Sequence, residues 1–380
     1  MYQVALKMLF GDLAKYLGLV FGVAFSTLLV NQQAGIFVGL ITRGGSLIQD
    51  IPEADIWVMD PGVKNLDTSF PLRDTELARV RGATGLDWAV PFFKSTVTVR
   101  TANGELEGGL LLGLDDTTLI GIPQKFVLGS LEDLRPPDAV AVSAEAYRRI
   151  WPGEKPVQGK VLELNDRRAV VMAVVDARPQ FTSSLTFYAR YSRALMYAPT
   201  GRNKLSFILA KSVPGTDLQT VCDEIHRRTG LKALTSEQFR WKCIEYILKN
   251  TGIPVSFAAV IGLGIIVGVA IVGLLLNLLI LENLRQYAAL KAIGTRNSKL
   301  VKMVLLQALV VGGVGYGIGL GAAASFFEFA GNNDPNFKGF YLPWQVAAGS
   351  AALDGSIMIL SALFSLRKVL FVDPAVVFRG

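Results

Sequence analysis

The stretch Glu282–Asn297, ENLRQYAALKAIGTRN, separates two long apolar runs at a point where a chain turning back into a bilayer needs only a short loop. Leu284, Tyr287, Ala288, Lys291 and Ala292 recur at helical spacing and share one face. Gly294 follows the last of them, where a left-handed residue ends a helix, and LVKMVLLQ then opens the next apolar run. Residue spacing leaves two readings open. The segment is either a short rigid lever that inserts into a groove on a soluble partner, or a basic loop lying on anionic lipid.

Working outward, the chain of 380 residues is 51% hydrophobic, with a mean hydropathy of +0.41, which a soluble domain rarely reaches. Three intervals carry no charge, 16–42, 250–281 and 303–327, and a fourth, 339–366, carries only Asp354. Each exceeds the roughly 20 residues a helix needs to cross the hydrocarbon core. The boundaries drawn from them are a segment at 1–15 and spans at 16–42, 251–281, 301–327 and 341–366. An outer domain falls at 43–250, the lever and its loop at 282–300, an outer loop at 328–340 and a tail at 367–380. Lys7 and Lys15 before the first apolar run raise the alternative of a signal peptide. That run resumes after Asn31-Gln32-Gln33 and continues to Ile41, too long for one, so an uncleaved span is expected.

The net charge of +7 is a matter of topology, since no basic run is interleaved with aromatics as nucleic-acid binding requires. Arg285, Lys291, Arg296, Lys299 and Lys302 face a single Glu282, and the tail holds Arg367, Lys368 and Arg379. The loop with Glu328, Asp334 and Lys338 is slightly acidic. Both termini and the 282–300 segment are therefore expected in the cytoplasm of a multi-pass inner-membrane protein, with 43–250 outside.

The outer region reads as a mixed α/β domain. DIWVMD and WAVPFF are strand-like, TELARVRGATG is a helix with a glycine stop, and TVTVR-TANG-ELEGG is a hairpin around Asn103-Gly104. KLSFILAKS, DLQTVCDEIHRRTG and LKALT give strand, helix and strand. Two β-α-β units thus bracket a strand-rich middle, as if one subdomain interrupts another. The fold class is membrane α-helical, with four transmembrane helices and a large mixed α/β extracytoplasmic domain between helices 1 and 2.

Several familiar sites are excluded. GEKPVQGK at Gly153–Lys160 has the wrong spacing for a Walker A loop, and Val161 stands where Ser or Thr binds magnesium. Cys222, Cys243 and the single His226 do not make a zinc set. Cys222 lies on the apolar face of a helical run as a buried thiol, and a Cys222–Cys243 disulfide is left open. VGGVGYGIGLG lies inside a charge-free run, so its glycines serve helix packing: Gly313, Gly317 and Gly321 recur every four residues, as do Gly315 and Gly319, and Gly264 and Gly268 in span two. Asp354 lies near the middle of span four, where a charge costs about 2.5–3.5 kcal/mol on insertion scales. Asn31, Gln32 and Gln33 in span one are its candidate partners, and packing, switching and proton-relay roles for it all stay open.

ENLRQYAALKAIG resembles the coupling-helix motif of FtsX/MacB-like, mechanotransmission-type ABC-transporter permeases. Arg285, Leu290, Lys291, Ala292, Ile293 and Gly294 stand at matching positions, while Gln286 replaces the usual glutamate. QYAALKAIG is similar to the form in the DevC-type exporter permeases, as are EADIWVMDP, LTSEQF…TGIPVSF and DPAVVFRG, and the segment PPDAVAVSAEAYRRIW to AVVMAVVD resembles the family's periplasmic core. The resemblance implies a non-catalytic permease working as a dimer, expected to be a homodimer, on a separate ATPase that holds the ATP and magnesium; no cofactor is implied for this chain itself. It implies that Glu282, Leu284, Arg285, Tyr287, Leu290, Lys291, Ile293 and Gly294 form the coupling region, half of which packs on the bundle. It also implies a periplasmic membrane-fusion adaptor, a TolC-like outer-membrane channel and a lipid, glycolipid or other amphiphile as cargo. Lipoprotein release, or FtsX-like signalling, is the alternative output.

Overall fold

The computed structural model describes residues 2–370, apart from 69, 102, 182, 184, 199–204, 335 and 336, and omits the side chains of 366–370. The basic tail residues Arg367, Lys368 and Arg379 and the DPAVVFRG end therefore lie outside the described side chains. The chain divides into two compact units, 1–39 with 252–380, and 40–251.

The first unit is helical. After α1 (Tyr2–Phe10), four helices are long and apolar enough to cross a membrane: α2 (Leu13–Arg43), α9 (Ile253–Glu282), α11 (Asn297–Asn333) and α12 (Trp344–Leu370). A short helix, α10 (Leu284–Ala292), joins α9 to α11. α11 runs past Glu328, where the charge-free stretch stops, because one exposed carboxylate near its end does not break a helix. The N-terminal segment is also more than a tail. Ala5, Met8 and Leu9 of α1 are buried in one cluster with Leu19, Val23, Leu276, Tyr287, Met303 and Val304.

Glycines let these helices approach, but not all those singled out in the sequence do so. A Cβ on Gly315 would lie 2.6 Å from that of Val23, and one on Gly319 would strike the Ala24 carbonyl oxygen. Gly264 and Gly268 meet α2 as well: the Ser26 hydroxyl donates to the Gly264 carbonyl at 3.1 Å and sits against Gly268. A Cβ on Gly313, Gly317 or Gly321 would have no neighbour within 4 Å among the described residues. The packing face of α11 is thus the Gly315–Gly319 series. The two series start two residues apart, about 200° around a helix, so only one can face α2.

Among the described residues the second unit forms a ten-stranded sheet, nine strands following one hydrogen-bonded path and the tenth branching off it. β1 (Ile56–Met59) lies between β9 (Phe207–Ser212) and β10 (Lys232–Thr235), antiparallel to both, and β9 pairs on its other side with β2 (Leu86–Arg100). With α4 (Asp74–Arg81) between β1 and β2, and α7 (Leu218–Thr229) between β9 and β10, this is a split β-α-β subdomain. β1 reads IWVM without alternation because both its faces are covered. Trp57 meets Phe92, Phe207 and Phe239 on one side, while Ile56 and Val58 pack with Val221 and Ile225 on the other.

The interruption enters along β2 itself. Its first half pairs with β9 and its second, Phe93–Arg100, with β3 (Leu106–Leu114) across a hairpin whose Gly104 has φ +83°. The inserted strands are β4 (Phe126–Leu128), β5 (Ala139–Ser143), β6 (Lys160–Leu164), β7 (Arg167–Val175) and β8 (Thr186–Arg190). Two short helices, α5 (Ala144–Ile150) and α6 (Tyr191–Tyr197), complete it around Val140, Tyr147, Val171 and Phe187. α3 (Ser46–Asp50) and α8 (Ser236–Asn250) pack together where the chain enters and leaves, Gly44 against Ile247 and Gly45 against Arg240.

Caps follow the local sequence: Asp217 accepts from the Thr220 N–H at 2.9 Å, Gly230 ends α7 at φ +76°, and Thr235 with Gln238 forms a capping box on α8. Cys222 and Cys243 are both free, in different core clusters. Burial pushes the first thiol up to about 11 and the second to about 12, so neither is a nucleophile at neutral pH.

Candidate functional site

α9 and α10 are separated by one residue. Asn283 turns the chain by donating both its backbone N–H (3.2 Å) and its side-chain amide (2.8 Å) to the Leu279 carbonyl. At the far end Gly294 adopts φ +90°; its N–H reaches the Lys291 carbonyl at 3.0 Å and that of Thr295 reaches Leu290 at 3.1 Å. Both bonds together make a Schellman motif, which stops the helix sharply.

The two faces of α10 differ. Tyr287 and Ala288 are buried, and Leu290 is half-buried against the bundle. The Tyr287 hydroxyl donates to Gln307 Oε1 at 3.0 Å, and Gln307 Nε2 donates to the Ala5 carbonyl at 2.8 Å. One buried amide on α11 thereby ties α10 to α1, and burial pushes the Tyr287 hydroxyl up to about 12. Outward point Arg285, Gln286, Ala292, Gly294 and Ile293, the last 83% exposed. Glu282 is exposed and paired with Lys15, which also holds Asp12 at 2.6 Å.

Of the residues expected in the coupling region, Tyr287 is therefore unavailable to a partner. Leu284, Leu290 and Lys291 are half-buried, and Arg285, Ile293 and Gly294 stand free of the bundle. Gln307 and Ala5 were not singled out from the sequence. The one signal for Gln307 was a lone amide in the apolar run LVKMVLLQ.

The acid of the fourth long apolar helix is also placed differently from expectation. Asp354 accepts from the Thr27 hydroxyl at 2.6 Å. Asn31 instead accepts from Ser350 at 2.9 Å and donates to the Thr27 carbonyl at 2.8 Å, and Gln32 is only half-buried. Thr27 and Asn31 are four apart on α2, as Ser350 and Asp354 are on α12, so each pair shares a face and two rungs form. Gln32 lies about 100° from Asn31 around the helix and cannot join them.

Residues 244–374 match the family described as FtsX-like permease C-terminal. The macrolide export ATP-binding/permease protein MacB of Agrobacterium fabrum is 26% identical over 306 residues, covering 76% of this chain and 46% of the relative. The chain thus spans about half the length of the curated relative it matches. Among solved structures, the periplasmic region of MacB from Actinobacillus actinomycetemcomitans aligns at TM-score 0.39 and 16% identity, covering 54% of this chain and 96% of that one. The extracellular domain of the noncanonical ABC-type transporter YknZ from Gram-positive bacteria aligns at 0.36 and 13%, covering 48% and 98%. Residues 244–374 therefore resemble the C-terminal part of FtsX-like permeases, and the four apolar helices are those of a multi-pass membrane protein by length and composition. Beyond that segment, what the chain shares with MacB is a 26% identical stretch of 306 residues.

Proposed function

We propose that this chain is the permease subunit of an ABC exporter closest to the DevC type, in the inner membrane with both termini in the cytoplasm. A separate ATPase docks on α10, and ATP hydrolysis there moves the 40–251 unit to drive export of a lipid, glycolipid or other amphiphile. Two protomers, a periplasmic adaptor and a TolC-like outer-membrane duct complete the assembly, and ATP and magnesium belong to the ATPase. The curated relative's name, a macrolide exporter, supports a bulky amphiphilic cargo.

The observation that carries this reading is the two-faced geometry of α10. A helix that serves only as a loop has no need of a buried Tyr287–Gln307 anchor on one side and an uncovered Arg285–Ile293 face on the other. Anchored within and bare without, it suits the transmission of a push. Lipoprotein release shares the ATPase and a large outer domain, and recovery of a periplasmic lipoprotein chaperone in place of an adaptor would favour it.

Ile293→Asp tests the docking. In reconstituted permease–ATPase complexes it is expected to lower permease-dependent stimulation of ATP turnover by about tenfold, the equivalent of roughly 1.4 kcal/mol at the contact. Stimulation equal to wild type would refute α10 as the docking element.

A further inference from the structure

The surface beside α10 continues into a groove that the docking account so far leaves unused. We infer that this groove, formed by α1 and the α9–α10 junction, is a second part of the ATPase-docking surface and receives an apolar side chain flanked by carboxylates. The inference rests on the reading of α10 as the docking element and extends the contact to the N-terminal helix.

The groove has a volume of about 390 Å³ and is lined by apolar Val4, Met8 and Leu279 and by polar Lys7, Glu282 and Gln286. Interface anchors of this kind are single large side chains seated in desolvated pockets. Gln286 belongs both to the groove and to the uncovered face of α10, so the two surfaces are continuous.

They are also mechanically one body. Gln307 holds the α1 backbone with its amide and the Tyr287 hydroxyl with its carbonyl, both inside the bundle. Lys15 closes the other end by bridging Asp12 and Glu282. A load taken by α1 therefore reaches α10 without an intervening loop.

Charge argues for a protein occupant. The two acids at the groove, Asp12 and Glu282, share Lys15, whereas Lys7 and Arg285 are exposed and form no ion pair among the described residues. A partner with an apolar tip between carboxylates matches that pattern, since the rim cations steer acids to it. Continuity with the uncovered face of α10 through Gln286 favours the protein that docks there over a lipid headgroup.

The test uses the full permease in nanodiscs and the ATPase recovered with it from native membranes. Lys7→Glu and Val4→Asp are each expected to weaken ATPase binding about fivefold at low salt, with Lys7→Arg restoring it and high salt shrinking the Lys7→Glu effect. An environment-sensitive dye on Lys7→Cys is expected to report burial when ATPase is added; Cys222 and Cys243 are buried and stay unlabelled. If Arg285→Glu abolishes binding while Lys7→Glu and Val4→Asp bind as wild type, the groove is not part of the interface and only the present inference falls. If Arg285→Glu also binds normally, the docking role of α10 falls first. A dye quenched by nitroxide lipid and indifferent to ATPase would give the groove to the membrane and overturn the inference.

Discussion

A carboxyl group in the middle of an apolar helix has to be answered by a neighbouring side chain, and at Asp354 the answer is the Thr27 hydroxyl. Removing the donor while keeping the acid leaves a buried acceptor unsatisfied, which costs about 1–3 kcal/mol. Thr27→Val is therefore expected to lower the thermal midpoint of the detergent-solubilised chain. Asp354→Asn keeps an acceptor for Thr27 and is expected to be close to neutral; the opposite ranking would mean that the charge, not the hydrogen bond, matters there.

Asp50, in the second unit, is a different case. It accepts from the Arg178 N–H at 3.0 Å and from its guanidinium at 2.9 Å, yet burial outweighs both and pushes its carboxyl up to about 6. The folded state then holds this proton more tightly than the unfolded chain, whose value is near 3.8. Stability from this group is present below about 4 and is lost as pH rises to about 6. Asp50→Asn should erase that dependence, so its urea midpoint should gain on wild type between pH 4 and 6 and keep a constant lead above. A difference that does not change with pH would show that the ion pair with Arg178 compensates the burial.

At the scale of elements, glycine pattern and glycine contact separate. Gly319→Leu has no room against Ala24 and Thr27 and is expected to prevent assembly of the helical unit, read as loss of the monodisperse peak in detergent. At Gly317 a Cβ has no neighbour within 4 Å among the described residues, and Gly317→Leu is expected to leave that peak in place. Loss of folded protein from both would contradict the assignment of Gly315–Gly319 as the packing face. Periodicity alone made the two series equivalent, because both repeat every four residues. The hairpin at Gly104 and the stops at Gly230 and Gly294 were legible, since a positive φ is a demand of the local backbone.

For the whole molecule, the two units have separate cores. Trp57, Phe92, Phe207 and Phe239 lie in one, and Leu19, Leu276, Tyr287 and Met303 in the other. The ends of the second unit pack against each other through α3 and α8. The excised segment 40–251 is therefore expected to fold alone, with a cooperative urea transition; a chain without one would mean that its core depends on the helical unit. The split β-α-β layout with an insertion was readable from element order. That β2 carries the chain through both halves was not, because a strand's partners do not show in its own residues.

The sequence by itself determined the four apolar spans, the place of the α/β domain between the first two, the turns and caps, and the short helix between spans two and three. Each follows from terms that act along the chain: the transfer of apolar runs, the charge of loops and backbone preference. Only the tertiary structure decided which glycine face of α11 is used, that Thr27 and not Asn31 or Gln32 answers Asp354, and that Tyr287 turns inward while Arg285 and Ile293 stay out. Those choices depend on which neighbour occupies each face of a helix, and a helix with several eligible faces leaves that to packing.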